Sequence, residues 1–181
     1  MARLFPEIND ALRQFIAAQP VFFVATAPLA ATGHVNVSPK GLDTFRILGP
    51  KTVAYLDFFG SGVETIAHLR ENGRITVMFC AFQDPPKILR LRGTGRVIEA
   101  HEAEFPSLAA HFPSHEAPRS VILIELSHVS DSCGFGVPLM KFEAERADLP
   151  AWARRRGPDG LKIYRQQKNR SSIDGLPGIA E

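Results

Sequence analysis

The succession of short apolar segments separated by turn residues constrains this chain most, because it leaves only a few ways to build a sheet. Val21-Phe22-Phe23-Val24-Ala25-Thr26-Ala27 is rich in aromatic and branched residues, and Pro28 to Gly33 turns it into His34-Val35-Asn36-Val37-Ser38. In that second arm Val35 and Val37 alternate with Asn36 and Ser38, so one strand face is polar and free for solvent or a ligand. Further strands are expected at Thr44 to Leu48 and Thr52 to Leu56 around Gly49-Pro50-Lys51, then at Ile75 to Phe82, Ile88 to Ile98 and Ser120 to Leu126. Six or seven strands joined mostly by hairpins, with short helices between them, predict a mainly β (α+β) fold built as an antiparallel split barrel. A doubly wound dinucleotide fold is excluded on the same ground: Gly60-Ser61-Gly62, Gly93-Thr94-Gly95 and Gly134-Phe135-Gly136 all lack the third glycine.

Helices are expected at Glu7 to Ala18, started at Pro6 with Ile8, Leu12, Phe15 and Ile16 on one face, and near Glu102 to His111. A third, from Val63 to Glu71, stops at Asn72-Gly73. It follows Asp57-Phe58-Phe59-Gly60-Ser61-Gly62, a strand end running through two glycines into a helix. Unpaired amides, the positive end of the helix dipole and the Ser61 hydroxyl all favour an anion there, although Gly and Ser are also ordinary turn residues.

Composition sets the class. With 181 residues, 45% apolar and 22% charged, the chain is expected to form an ordinary globular core. No apolar run approaches the roughly 20 residues of a membrane span, and Pro6-Glu7 interrupts any signal core, so the expected location is the cytoplasm, without a membrane partner. Cys80 and Cys133 do not resemble a secreted disulfide framework. From Arg146 to Arg170 eight Lys or Arg face only Asp148 and Asp159. That basic stretch suits an acidic partner, a phosphorylated ligand or a solvated helix face. Beyond Trp152 and Tyr164 it carries no interleaved aromatic pattern, which argues against nucleic acid. His111 and His115 have metal-ligand spacing, but Pro113 lies between them and no third ligand is evident, so no metal is expected.

The order of these elements resembles the pyridoxamine 5'-phosphate oxidase-like, FMN-binding split-barrel superfamily over roughly residues 15 to 130. The match rests on Val21 to Thr26, His34 to Gly41, Tyr55-Leu56-Asp57 leading into Ser61-Gly62, His68 to Phe79, and Leu89 to Val97. Ser132 to Met140 and Lys168 to Gly178 look like an uncharacterised flavin-nucleotide-binding branch. The resemblance implies a homodimer with FMN at the subunit interface, and an oxidoreductase that moves hydride to or from a small-molecule substrate. Asn36, Ser38 and Lys40 would lie along the flavin, with Lys40 near phosphate, and Tyr55, Asp57 and Phe58 would border its ring and ribityl chain. Ser61 and Gly62 would receive the phosphate and Thr65 would join the cofactor-binding set, with Arg90 or Arg92 adding charge or lining the substrate side, and Lys168 and Arg170 reaching the partner's site. No catalytic acid or base is assigned. Val63 and Glu64 stand where vitamin B6 oxidases carry basic residues. Rival readings are deazaflavin F420 or haem in the same groove, or a flavin-binding carrier or sensor without turnover. The expected organisation is a split-barrel domain over 1–145 and a basic helical extension over 146–181 that packs on the barrel or on the partner.

Overall fold

The computed structural model describes residues 3–179. Strand β1 (Arg3–Phe5) leads to helix α1 (Asp10–Ala17), then β2 (Phe22–Thr26), β3 (Asn36–Lys40), β4 (Phe45–Ile47) and β5 (Thr52–Phe58). Helix α2 (Glu64–Asn72), β6 (Arg74–Cys80), β7 (Ile88–Glu99), α3 (Phe105–Ala109), β8 (Pro118–Ser132) and α4 (Asp148–Lys168) complete the chain. The sheet runs β3-β2-β6-β7-β8-β5-β4, entirely antiparallel, with β1 added along β8. This is the split barrel the strand pattern predicts, with one short extra strand.

Inward residues follow the period of two. Phe22 and Val24 on β2, Val77 and Phe79 on β6, Leu89 and Leu91 on β7, and Ile122 and Ile124 on β8 fill one core with Tyr55. Phe45 caps it, its ring centroid 5.2 Å from that of Phe22 and 5.0 Å from that of Phe79. Helix α1 begins later than Pro6 because the Asn9 side chain accepts a hydrogen bond from the Leu12 amide at 3.0 Å and so fixes the N-cap. Its Leu12 and Ile16 are buried against the barrel. Helix α2 ends at Gly73, which takes the left-handed conformation at φ 71° and donates to the Leu69 carbonyl.

Edge strands β3 and β4 do not pair with one another, and this gap is the split. Side chains cross it: the Lys40 ammonium on β3 reaches Asp57 on β5 at 3.1 Å, and Asn36 on β3 donates to Thr65 on α2 at 3.0 Å.

Residues 133 to 147 form no helix or strand before α4, which bends where Gly157 (φ 62°) precedes Pro158. The guanidinium of Arg156 stacks on Trp152 and Tyr164, 4.9 and 4.7 Å from their ring centroids. Arg165 on α4 and Arg70 on α2 both pair with the buried Glu99, which fastens this helix to the barrel. Part of the basic segment's charge is therefore used in packing. Among the described residues no helix is long and apolar enough to cross a membrane.

Candidate functional site in the barrel split

The turn between β5 and α2 has an unusual distribution of hydrogen bonds. The Gly60 carbonyl accepts from Asn169 Nδ2 at 2.9 Å, and the Gly62 carbonyl accepts from Arg119 Nη1 at 2.9 Å. Among the described residues, no group accepts from the amides of Gly60, Ser61 or Gly62. Two carbonyls are thus held back while three successive donors stay open. Ser61 is exposed, and a Cβ placed on Gly60 would meet nothing within 4 Å. Together with the start of α2, such a row of donors is suited to an anion.

A buried charge cluster supports the turn. Asp57, 1% exposed, accepts from Arg119 Nε at 2.7 Å and from Ser120 at 3.4 Å, and it also holds Lys40. Arg119 is itself 6% exposed. Burial pushes the Asp57 carboxyl up, but the charges of Arg119 and Lys40 outweigh burial and hold it below the usual carboxylate value. It therefore stays ionised and fixes both cations.

A second polar network runs behind β3. Asn36 Nδ2 donates to Thr26 and Thr65, while Thr26 is hydrogen bonded to Nδ1 of the fully buried His68 at 2.9 Å. Among the described residues His68 Nε2 finds no hydrogen-bond partner, and burial lowers the pKa of the ring.

The C-terminal segment crosses the same region as a strap. Asn169 is fully buried, its Oδ1 without a partner among the described residues, and Ile179 enters the core that also holds Val63. Gly178 packs so tightly on Val63 and the Asn169 carbonyl that no side chain fits. Between them the Ile173 amide donates to Glu64 Oε1 at 3.3 Å, and Asp174 accepts from the His34 amide at 2.8 Å. Glu64 opens α2, and its carboxylate folds back against Gly62.

On the other side of Lys40 lies a cleft of about 1600 Å³. Phe45, Phe58, Phe59, Phe82 and Phe142 give it an aromatic wall.

These positions sort the residues expected from the sequence. Asn36, Ser38 and Lys40 share the inner side of β3, since they pair with the buried Thr26, Val24 and Phe22 of β2. Phe58 lines the cleft, and Ser61 and Gly62 form the turn. Thr65 is buried beneath it and bonded to Asn36. Within one chain, the remaining expected residues do not line the open groove. Tyr55 is fully buried in the barrel core with its ring against Phe22, so its side chain does not border the groove. Asp57 is likewise an enclosed counter-ion and offers no surface to a ligand. Arg90 and Arg92 lie on the outer side of β7, opposite the inward Leu89 and Leu91, and donate to Ser132 and Ser130 at 3.0 and 3.1 Å. Within one chain they point away from the turn. Lys168 is exposed on the last turn of α4, and it is the next residue, Asn169, that reaches Gly60. Arg119 and Asn169 were not anticipated. The only sign of Arg119 is a charged residue opening the apolar run Val121-Ile122-Leu123-Ile124.

The fold is an antiparallel split barrel with a row of open amides at the end of β5. A family model described as pyridoxamine 5'-phosphate oxidase matches residues 8–133. The chain belongs to the pyridoxamine 5'-phosphate oxidase family. It is 41% identical, over 198 aligned residues, to the pyridoxamine 5'-phosphate oxidase family protein ustO of Aspergillus flavus; the alignment covers 99% of this chain and 78% of that one. Among solved structures, a variant of HupZ from Group A Streptococcus aligns with a TM-score of 0.55 at 22% identity, covering 69% of this chain and 99% of that one. A FAD-binding protein from Mesorhizobium loti aligns at 0.51 with 16% identity, over 72% and 96% of the two chains. Both likenesses concern the fold.

Proposed function

We propose that this protein is a flavin-nucleotide oxidoreductase, with FMN in the barrel split, that transfers hydride to or from a small organic substrate as a cytoplasmic homodimer. The observation that carries this reading is the row of open amides at Gly60, Ser61 and Gly62, held outward by Arg119 and Asn169. Family membership supports it independently, as does the structural likeness to a protein described as FAD-binding.

The residues present fit a flavin nucleotide. The turn offers amide donors and the Ser61 hydroxyl to a phosphate, with Lys40 and Arg119 as the nearby cations. The aromatic cleft beyond Lys40 suits an apolar ring system and a substrate beside it. When bound, the flavin supplies the redox chemistry at N5. The chain contributes binding and orientation. Asp57 keeps Lys40 and Arg119 in place, and the phenylalanines limit water at the ring end. A second copy would meet the outer sheet face, where Val35 and Val37 are 72% and 62% exposed and Arg90 and Arg92 project. There the two arginines would serve the partner's groove in place of their own.

The test is the visible spectrum of the purified protein, with the mass of the released ligand. Two oxidised-flavin bands and the mass of a flavin nucleotide support the proposal. A single deazaflavin band assigns F420 to the groove, and a Soret band assigns haem. A colourless protein that takes up no added flavin overturns it.

A further inference from the structure

The cleft beyond Lys40 keeps its polar side chains either engaged within the protein or out at its rim. Its aromatic lining is phenylalanine throughout, Phe15, Phe58, Phe59, Phe82 and Phe142 among it, with no tyrosine hydroxyl or tryptophan N–H in the wall. The polar side chains between these rings already have partners. Thr44, 2% exposed, donates to the Gly41 carbonyl at 2.6 Å, and Gln19 donates to the Phe15 carbonyl at 2.9 Å. Lys40 is held by Asp57 at 3.1 Å, Asp43 by Arg46 at 2.7 Å, and the Lys87 ammonium lies 5.1 Å from the centroid of the Phe15 ring.

Charged side chains without a partner stand only where the cleft meets water. Asp84, Lys141, Glu145, Arg146 and Asp148 are all exposed, and among the described residues their side chains form no hydrogen bond or ion pair. Two cations there face three carboxylates, so the rim draws neither sign of ligand strongly. Size matters too. The space is about 1600 Å³, above the roughly 300–1,000 Å³ of a single small-ligand pocket, so a cofactor ring at the Lys40 end leaves room for a second molecule. The stretch carrying Phe142 is tied to the wall, because the Met140 amide donates to the Phe82 carbonyl at 2.9 Å.

We infer that the cleft is the binding site of an uncharged, apolar ring compound, the class of substrate on which the proposed hydride transfer acts. This deepens that reading and rests on it only in calling the occupant a substrate. Phenylalanine faces gain from each apolar ring laid on them. A carboxylate, ammonium or phosphate carried to the same depth would give up its water and find the polar side chains of the wall already engaged.

The experiment is isothermal titration calorimetry of the full chain, as purified, with three probes of one ring system at pH 7: 2-naphthylmethanol, the 2-naphthoate anion and the 2-naphthylmethylammonium cation. Flavin content is read from the visible spectrum of the same sample. The alcohol is expected to bind at least about tenfold more tightly than either ion. Ala18→Trp and Ala144→Trp each place an indole in the cleft from an exposed position, and each should weaken the alcohol by about tenfold. Equal affinity for the alcohol and either ion overturns the inference, and so does binding that neither tryptophan alters. Absence of binding by all three probes also overturns it; a mass in solution that then falls in Ala18→Trp identifies a second copy as the occupant. The two readings fail separately. A sample that carries flavin and binds no alcohol keeps the flavin reading and loses this one, whereas a sample that binds the alcohol in the cleft and takes up no flavin keeps the site and loses the redox chemistry.

Discussion

The middle of the sheet and its split hold together by different means. Strands β6, β7 and β8 pair along their length over Val77, Leu91, Ile122 and Ile124, all at 0% exposure. Across the split no strand pairing occurs among the described residues, and the gap is crossed by Lys40 to Asp57 and Asn36 to Thr65. Missing backbone pairs leave polar groups that must be satisfied by side chains. The ion cluster serves the sheet's closure, and in the proposed reading its cations also face the phosphate. Structure and site are therefore coupled at the split and separate in the middle.

Truncating the interior should produce the largest loss of stability. Leu91→Ala removes a fully buried side chain from the middle of the sheet and should cost about 3 kcal/mol in urea denaturation, without a specific effect on nucleotide affinity. At the split, Arg119→Met leaves Asp57 short of a partner and should cost about 3 kcal/mol. Adding Asp57→Asn to it should return part of that stability. A double variant as unstable as the sum of its singles would show that the cluster is not one unit.

His68 gives a pH-dependent contrast. Its pKa in the fold lies below the unfolded value of 6.5, so the unfolded chain binds the proton more readily. Its neutral form contributes stability in full above pH 6.5, and that contribution is lost as pH falls through the folded pKa. The thermal midpoint should drop between pH 7.5 and 5.5 in the wild type and drop less in His68→Gln. The smallest effect is expected on the outer face. Arg90→Ala should change monomer stability by under about 0.5 kcal/mol. If it weakens nucleotide binding only under conditions that favour dimer, the partner-facing role of that strand is supported. A loss in the isolated monomer contradicts the sidedness derived from β7.

Much of the fold was legible because period-two strands and turn residues are local signals. The alternation of Leu89 and Leu91 with Arg90 and Arg92 told correctly that two faces differ. It did not tell which face borders the groove, since that depends on the neighbouring strands. Strand β1 was too short to show a pattern, and its order comes from the Leu4–Ser130 register with β8. The site was legible only where it is local, in Gly60-Ser61-Gly62. Arg119 lies 57 positions from Gly62, and Asn169 lies 109 from Gly60. Neither distance leaves a motif. Tyr55 was misplaced because a strand residue's side is fixed by register, and the fold turns this one inward.

On the proposed reading, a flavin nucleotide sets its phosphate on the turn from Gly60 to Gly62. The direct measurement is the set of backbone ¹H–¹⁵N resonances followed during titration with FMN and, separately, with riboflavin. Gly60, Ser61 and Gly62 are expected to shift strongly with FMN and hardly at all with riboflavin, while residues around Lys40 and Phe58 respond to both. Shifts centred on Arg90 and Arg92, with the three turn amides unmoved, would contradict it.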